Sequence, residues 1–240
     1  MADRRRLGAA ALALASGLAL APALAACVPL SPPPYATPAP VEATATASST
    51  DGFTHAERIA LRVWAISCDA YRNGTAWMLD ETHAVTNRHV VRDTTHIELT
   101  DYRGREYRAV AAEYSTDDDL ALITIDGTFP EAGTVGEDEP ALGDDLTVTG
   151  YALGGPLASV TGPYVELREN ELDPDGAEIY FLQLLAREGN SGSPVTDADG
   201  DVVGVVFSSD GEEFAGAVTL PRLEAFLADD AERTEVDASC

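Results

Sequence analysis

Gly189-Asn190-Ser191-Gly192-Ser193-Pro194 sets a serine among small and turn-forming residues between two apolar stretches. A serine that serves as a nucleophile must present its hydroxyl on a tight turn. Backbone N–H groups must also be free to face a developing oxyanion. Glycine on either side permits the backbone angles and the close approach that such a turn needs. A lone Gly-x-Ser-Gly is more often a generic turn than a site, so the surroundings decide its meaning.

Outward from this turn the chain reads as short strands, with period-two alternation between turn residues. Ala60–Ile66, Thr75–Leu79, Ala84–Thr86, His96–Thr100, Tyr107–Tyr114 and Leu120–Ile125 form a first set. Residues 127–144 (GTFPEAGTVGEDEPALGD) are turn-rich and read as a connection. Leu146–Tyr151, Ser159–Leu167, Glu178–Leu185, Ser193–Thr196, Val202–Phe207 and Phe214–Thr219 form a second set. Asp199-Gly200 reads as a hairpin turn. Asp197-x-Asp199-Gly200-Asp201 lacks the ligand spacing and terminal Glu of a calcium loop, so no metal is expected there. Pro221–Asp230 reads as a short closing helix with Leu223, Phe226 and Leu227 on one face. The fold class is all-β. The strand pattern alone leaves a barrel pair and a sandwich both open.

Two further segments add to the serine turn. Val85-Thr86-Asn87-Arg88-His89-Val90-Val91 follows the small, apolar Gly74-Thr75-Ala76-Trp77-Met78-Leu79 run, and Asp119-Leu120-Ala121-Leu122-Ile123 comes thirty residues later. Together the three resemble the chymotrypsin-like serine proteases. Gly189–Pro194 is similar to their GDSGGP-type nucleophile loop, with Asn190 in place of Asp and Ser193 in place of the second following Gly. The His89 segment resembles the bacterial TN-x-HV stretch, and the Asp119 segment resembles the D-L-A-L strand. The order His, Asp, Ser is that of chymotrypsin and not of subtilisin or the α/β-hydrolases.

The resemblance runs from about residue 60 to 226. It implies two six-stranded antiparallel β-barrels with a short C-terminal helix, and a cleft between the barrels that assembles His89, Asp119 and Ser191. It implies a serine endopeptidase acting on a polypeptide without a cofactor. It also implies that the N–H groups of Gly189 and Ser191 form the oxyanion hole. His89 is expected at a strand end. His83 is expected in a solvated, variable turn; His55 and His96 have no partner motif, and His96 is expected on a strand face. Leu185, six residues before Ser191, falls at the base of the primary pocket, and Phe207, Ser208 and Ser209 fall in its wall. A basic P1 side chain would meet no carboxylate there, so a small or apolar P1 residue is expected. Leu185 as a core residue is the alternative. Two rival functions stay open: a protease-fold module that binds peptide or mediates adhesion without catalysis, and acyl transfer on esters.

The ends of the chain bear on location. Arg4, Arg5 and Arg6 precede an Ala/Leu-rich run to about Ala26, which reads as an export signal over residues 1–26. Leu24-Ala25-Ala26-Cys27 resembles a bacterial lipobox, so Cys27 is expected to carry lipid; cleavage after Ala25 and free secretion is the alternative. Residues 27–54 are rich in Pro, Ala and Thr and read as a tether. Residues 55–240 make the protease domain, with no PDZ-type domain expected after residue 226. The expected location is extracytoplasmic, on the cell membrane. The formal charge is −26 and every basic residue is Arg. That charge opposes nucleic acid as a partner, and a monomer is expected. Cys68 and Cys240 are expected to pair in an oxidising compartment, two free thiols being the alternative.

Overall fold

The computed structural model describes residues 51–67, 70–170, 177–228 and 233–237. The export signal, Cys27, most of the tether, Cys68 and Cys240 lie outside the described residues.

The first strand set closes into a barrel. Strands β1 (Ala60–Ser67), β2 (Tyr71–Met78), β3 (His83–Thr86), β4 (Thr94–Thr100), β5 (Glu106–Ser115) and β6 (Ala121–Ile125) lie in the order β5-β4-β1-β2-β3-β6. Strand β5 closes the ring by pairing with β6. One strand can serve two neighbours because it bends at a bulge between Ala109 and Ala111: Glu106–Arg108 pair with β4, and Ala109–Tyr114 with β6. The second set, β7 (Asp145–Gly150), β8 (Ala158–Glu169), β9 (Glu178–Leu182), β10 (Pro194–Thr196), β11 (Val202–Ser209) and β12 (Ala215–Thr219), closes in the order β10-β11-β12-β9-β8-β7. All of these pairings are antiparallel. The architecture is two six-stranded antiparallel barrels with a short helix near the C-terminus.

Period two explains three separate cores. On β2, Ala76 and Met78 fill the first barrel while Trp77 faces out of it; on β6, Ala121 and Ile123 point in and Leu122 points out. On β11 a register shift against β10 interrupts the alternation, so Val203 and Val206 fill the second barrel while Val202 and Val205 face outward. The outward set of both barrels forms one cluster with Ile59, Val85, Leu120 and Val218. Helix α3 (Leu220–Ala228) covers it with Leu223 and Phe226. Each such side chain contributes about 1.5–3 kcal/mol when fully buried. This shared cluster holds the barrels together.

Four elements depart from the sequence reading. Helix α1 (His55–Ile59) starts on a capping box in which Thr54 and Glu57 exchange hydrogen bonds. Helix α2 (Arg88–Val91) is a single turn placing His89 on a helix and not at a strand end. Residues Ala152–Gly154 form a 3-10 turn between β7 and β8. Strand β13 (Arg233–Glu235) adds to the far end of β5. Each has fewer than six residues, too short to leave a periodic signal.

Candidate active site

The serine turn is built from both barrels. Gly189 and Gly192 sit at φ +92° and +85°, a region that costs other residues about 1–2 kcal/mol. A Cβ at Gly192 would lie 2.0 Å from the Thr75 carbonyl oxygen and 2.4 Å from Thr86 Oγ1. The turn is therefore pressed directly onto β2 and β3 of the first barrel. Ser191 accepts a hydrogen bond at its carbonyl from Thr75 N–H (2.8 Å), and Gly192 N–H donates to Val206 O on β11 (2.8 Å). Asn190, standing where the resemblance has Asp, closes the turn internally. Its Oδ1 accepts from Arg187 N–H (3.0 Å) and its Nδ2 donates to Ser193 Oγ (3.4 Å).

Four N–H groups of this turn are bonded. Arg187 N–H goes to Asn190 Oδ1, Asn190 N–H to Arg187 O, Gly192 N–H to Val206 O and Ser193 N–H to Asn190 O. Those of Glu188, Gly189 and Ser191 have no acceptor among the described residues, and Glu188 is exposed, so water serves its N–H. Gly189 is buried, and a buried N–H is rarely left without a partner. The Gly189 and Ser191 pair can bind an oxygen that carries negative charge.

Asp119 and His89 meet across thirty residues. Asp119 precedes Leu120, which leads into β6, and Asn87 Nδ2 and Arg88 N–H hold its carbonyl oxygen (2.7 and 3.3 Å). Its Oδ1 accepts from His89 N–H (2.9 Å) and its Oδ2 pairs with His89 Nδ1 (2.5 Å). A carboxylate only accepts, so this contact puts the imidazole proton on Nδ1 and leaves Nε2 as an acceptor. The imidazole is about two-fifths exposed and the carboxylate one-fifth. Val90, next in the helix, packs against Gly74, where a Cβ would also lie 3.1 Å from Ser191 O. The helix, β2 and the serine turn thus converge. Among the described residues, Ser191 Oγ makes no hydrogen bond to His89. Such bonds are often long before substrate binds.

A histidine beside a carboxylate is not diagnostic in so acidic a chain. His55 contacts Glu131, His83 contacts Asp80, and His96 contacts Glu98. The His83 pair is local, within a turn, and His83 opens β3; the His96 pair lies on one face of β4. Of the four pairs, the His89–Asp119 contact is the one that joins segments packed on the serine turn.

The pocket residues divide. Leu184 and Ala186 point into the second core, while Leu185 between them is 37% exposed, so Leu185 is not core. Phe207 is half-buried against the inter-barrel cluster. Ser208 faces Gly216, where a Cβ would lie 2.5 Å from its Oγ. Ser209 Oγ donates to Ala186 O (2.6 Å), tying β11 to the Leu185 segment. Among the described residues no cluster of three His, Cys, Asp or Glu side chains is arranged to hold a metal. The Asp197 carboxylate instead caps its own turn, accepting from the N–H groups of Asp199, Gly200 and Asp201.

Two supports escaped the sequence reading. Thr75, fully buried on β2, bridges the serine turn and the residues after β7. Arg62 on β1 reaches across to Gly155 O (3.0 Å) and lies over the Tyr151 ring. Burial pushes the Tyr151 hydroxyl up to about 12, and the hydroxyl has no partner among the described residues. Arg62 carried a weak signal, a lone cation in an otherwise apolar strand; Thr75 carried none.

Residues 74–205, more than half of the chain, match the trypsin-like peptidase domain family. The Mycobacterium tuberculosis (strain H37Rv) protein named serine protease Rv3671c is 25% identical over 162 residues, covering 63% of this chain and 40% of that protein. The human protein named serine protease HTRA4 is 30% identical over 169 residues, covering 65% of this chain and 34% of that protein. The chain therefore spans well under half the length of these relatives. The crystal structure of the active form of the M. tuberculosis Rv3671c protease superposes with a TM-score of 0.69 at 21% identity, covering 77% of this chain and 86% of that one.

Proposed function

The chain belongs to the trypsin-like peptidase family, and from that premise we propose that it is a serine endopeptidase. The observation that carries the reading is the free pair of N–H groups at Gly189 and Ser191 on the turn that presents the serine. Ser191 Oγ attacks the scissile carbonyl carbon while His89 Nε2 takes its proton. The carbonyl electron pair moves onto the oxygen, between the two N–H groups. Each such donor contributes about 3–4 kcal/mol to the transition state. Collapse breaks the C–N bond, and His89 gives its proton to the leaving amine. Water repeats the sequence on the acyl-enzyme and frees Ser191. Asp119 holds the imidazole orientation and stabilises the imidazolium without taking its proton.

Leu185, Phe207, Ser208 and Ser209 form the P1 pocket in this reading, and the absence of a carboxylate among them favours a small or apolar P1 side chain. The Arg4–Arg6 segment, the apolar run and Cys27 support export and attachment of the domain outside the membrane through lipid. A panel of internally quenched peptides and matched esters tests the chemistry, with Ser191→Ala and His89→Ala alongside. Peptide cleavage that disappears in both variants supports the proposal. Ester turnover alone would point to a different acyl transfer, and neither activity in a folded protein would favour a binding module.

A further inference from the structure

Thr75 is fully buried on β2, and each of its polar atoms is engaged. Its N–H donates to Ser191 O (2.8 Å) and its carbonyl accepts from Thr86 Oγ1 (2.7 Å). Its hydroxyl donates to Gly189 O (2.8 Å) and accepts from Tyr151 N–H (3.0 Å). One side chain therefore touches the backbone of Gly189 and of the segment leading from β7 into the 3-10 turn. In that turn, Leu153 N–H donates to Glu188 O (2.5 Å).

The N–H of a trans peptide points opposite its carbonyl. Tying Glu188 O to Leu153 sends the Gly189 N–H away from the 3-10 turn. Tying Gly189 O to Thr75, together with Asn190 N–H to Arg187 O (2.9 Å), fixes the next peptide. Both ties are needed because glycine rotates easily: Gly189 sits at φ +92°, and no Cβ resists the reverse orientation. A flip of the Glu188–Gly189 peptide would replace a donor with a carbonyl oxygen.

We propose that Thr75 is a positioning residue for oxyanion stabilisation, its hydroxyl holding the Gly189 N–H toward the carbonyl that Ser191 attacks. This rests on the protease reading above. The hydroxyl acts through Gly189, and what it sets is the transition-state donor, so its loss lowers kcat more than it raises KM.

The test compares native protein, Thr75→Val, which is nearly isosteric but lacks the hydroxyl, and Thr75→Ser, which keeps it. Rates are normalised to sites titrated with a fluorophosphonate. Removing an oxyanion donor outright costs about 100- to 1,000-fold in kcat, so loosening one is expected to cost about 10- to 100-fold. Thr75→Val should show that loss with KM nearly unchanged, and weaken a peptide aldehyde inhibitor by a similar factor. Thr75→Ser should recover most of both. A purely structural role would lower the melting temperature and the number of titratable sites, leaving kcat per site and aldehyde affinity native; that result overturns the proposal. If Thr75→Val does not fold, Thr75→Cys, with its weaker donor, is read the same way. A native protein that neither turns over peptide nor binds aldehyde refutes the protease reading itself, a different outcome from an active enzyme indifferent to the hydroxyl.

Discussion

Replacing Asp119 with Asn changes one oxygen to an amide nitrogen and leaves the shape alone. In the native site Oδ1 accepts from His89 N–H (2.9 Å) and Oδ2 from Nδ1 (2.5 Å). Both contacts require an acceptor, and Asn has only one. If its oxygen keeps the backbone N–H, its NH2 faces Nδ1. The imidazole must then move its proton to Nε2, which can no longer accept from Ser191. If the amide turns over, its NH2 confronts the backbone N–H of His89 and loosens the helix. An Asn at the His-orienting position costs about 10⁴ in kcat in a serine-protease triad. At 1.36 kcal/mol per decade that is about 5 kcal/mol of transition-state stabilisation. The assay is kcat/KM on a cleaved peptide, with circular dichroism and melting temperature confirming an intact fold. A folded Asp119→Asn protein within about tenfold of native, far short of the expected loss, would refute the tautomer reasoning.

Two further substitutions probe the supports. Gly192→Ala meets both a strained φ and the Thr75 carbonyl 2.0 Å away; about 1–2 kcal/mol of strain with about 1–3 of overpacking should lower the melting temperature by roughly 5–15 °C, and a native melting temperature would contradict the described turn. Tyr151→Phe removes a buried hydroxyl that lacks a partner, so stability at pH 7 should hold or rise by about 1 kcal/mol. The native Tyr151 ionises at about 12, above its unfolded value. Its contribution is therefore complete below pH 10 and is lost as pH rises from 10 toward 12, because the unfolded chain deprotonates first. Urea midpoints at pH 7 and pH 11 should fall less for Tyr151→Phe than for native protein; an equal or larger fall would contradict the assigned burial.

All twelve barrel strands were legible, because short alternating or continuously apolar runs sit between clear turn residues. Trp77, Leu122 and Val205 show why alternation was incomplete: their strands bury both faces, one in a barrel and one between barrels. The choice of barrels over a sandwich came from motifs, since closure depends on pairings such as β5 with β6 that no single strand encodes. The proposed catalytic residues were legible as types and spacing. Their supports were not. Thr75 looked like any strand threonine, and its meaning arises from contacts with Gly189 and Tyr151, 114 and 76 residues away. The helix carrying His89 is a single turn without a side-chain cap, so nothing local announced it.

An endopeptidase of this kind needs an activated Ser191 served by His89. Incubating the soluble domain from about residue 51 with a fluorophosphonate and mapping the adduct by mass spectrometry tests it most directly. One adduct is expected, on Ser191, absent in Ser191→Ala and strongly slowed in His89→Ala. A folded native protein that stays unlabelled, or one labelled as fast without His89, would contradict it.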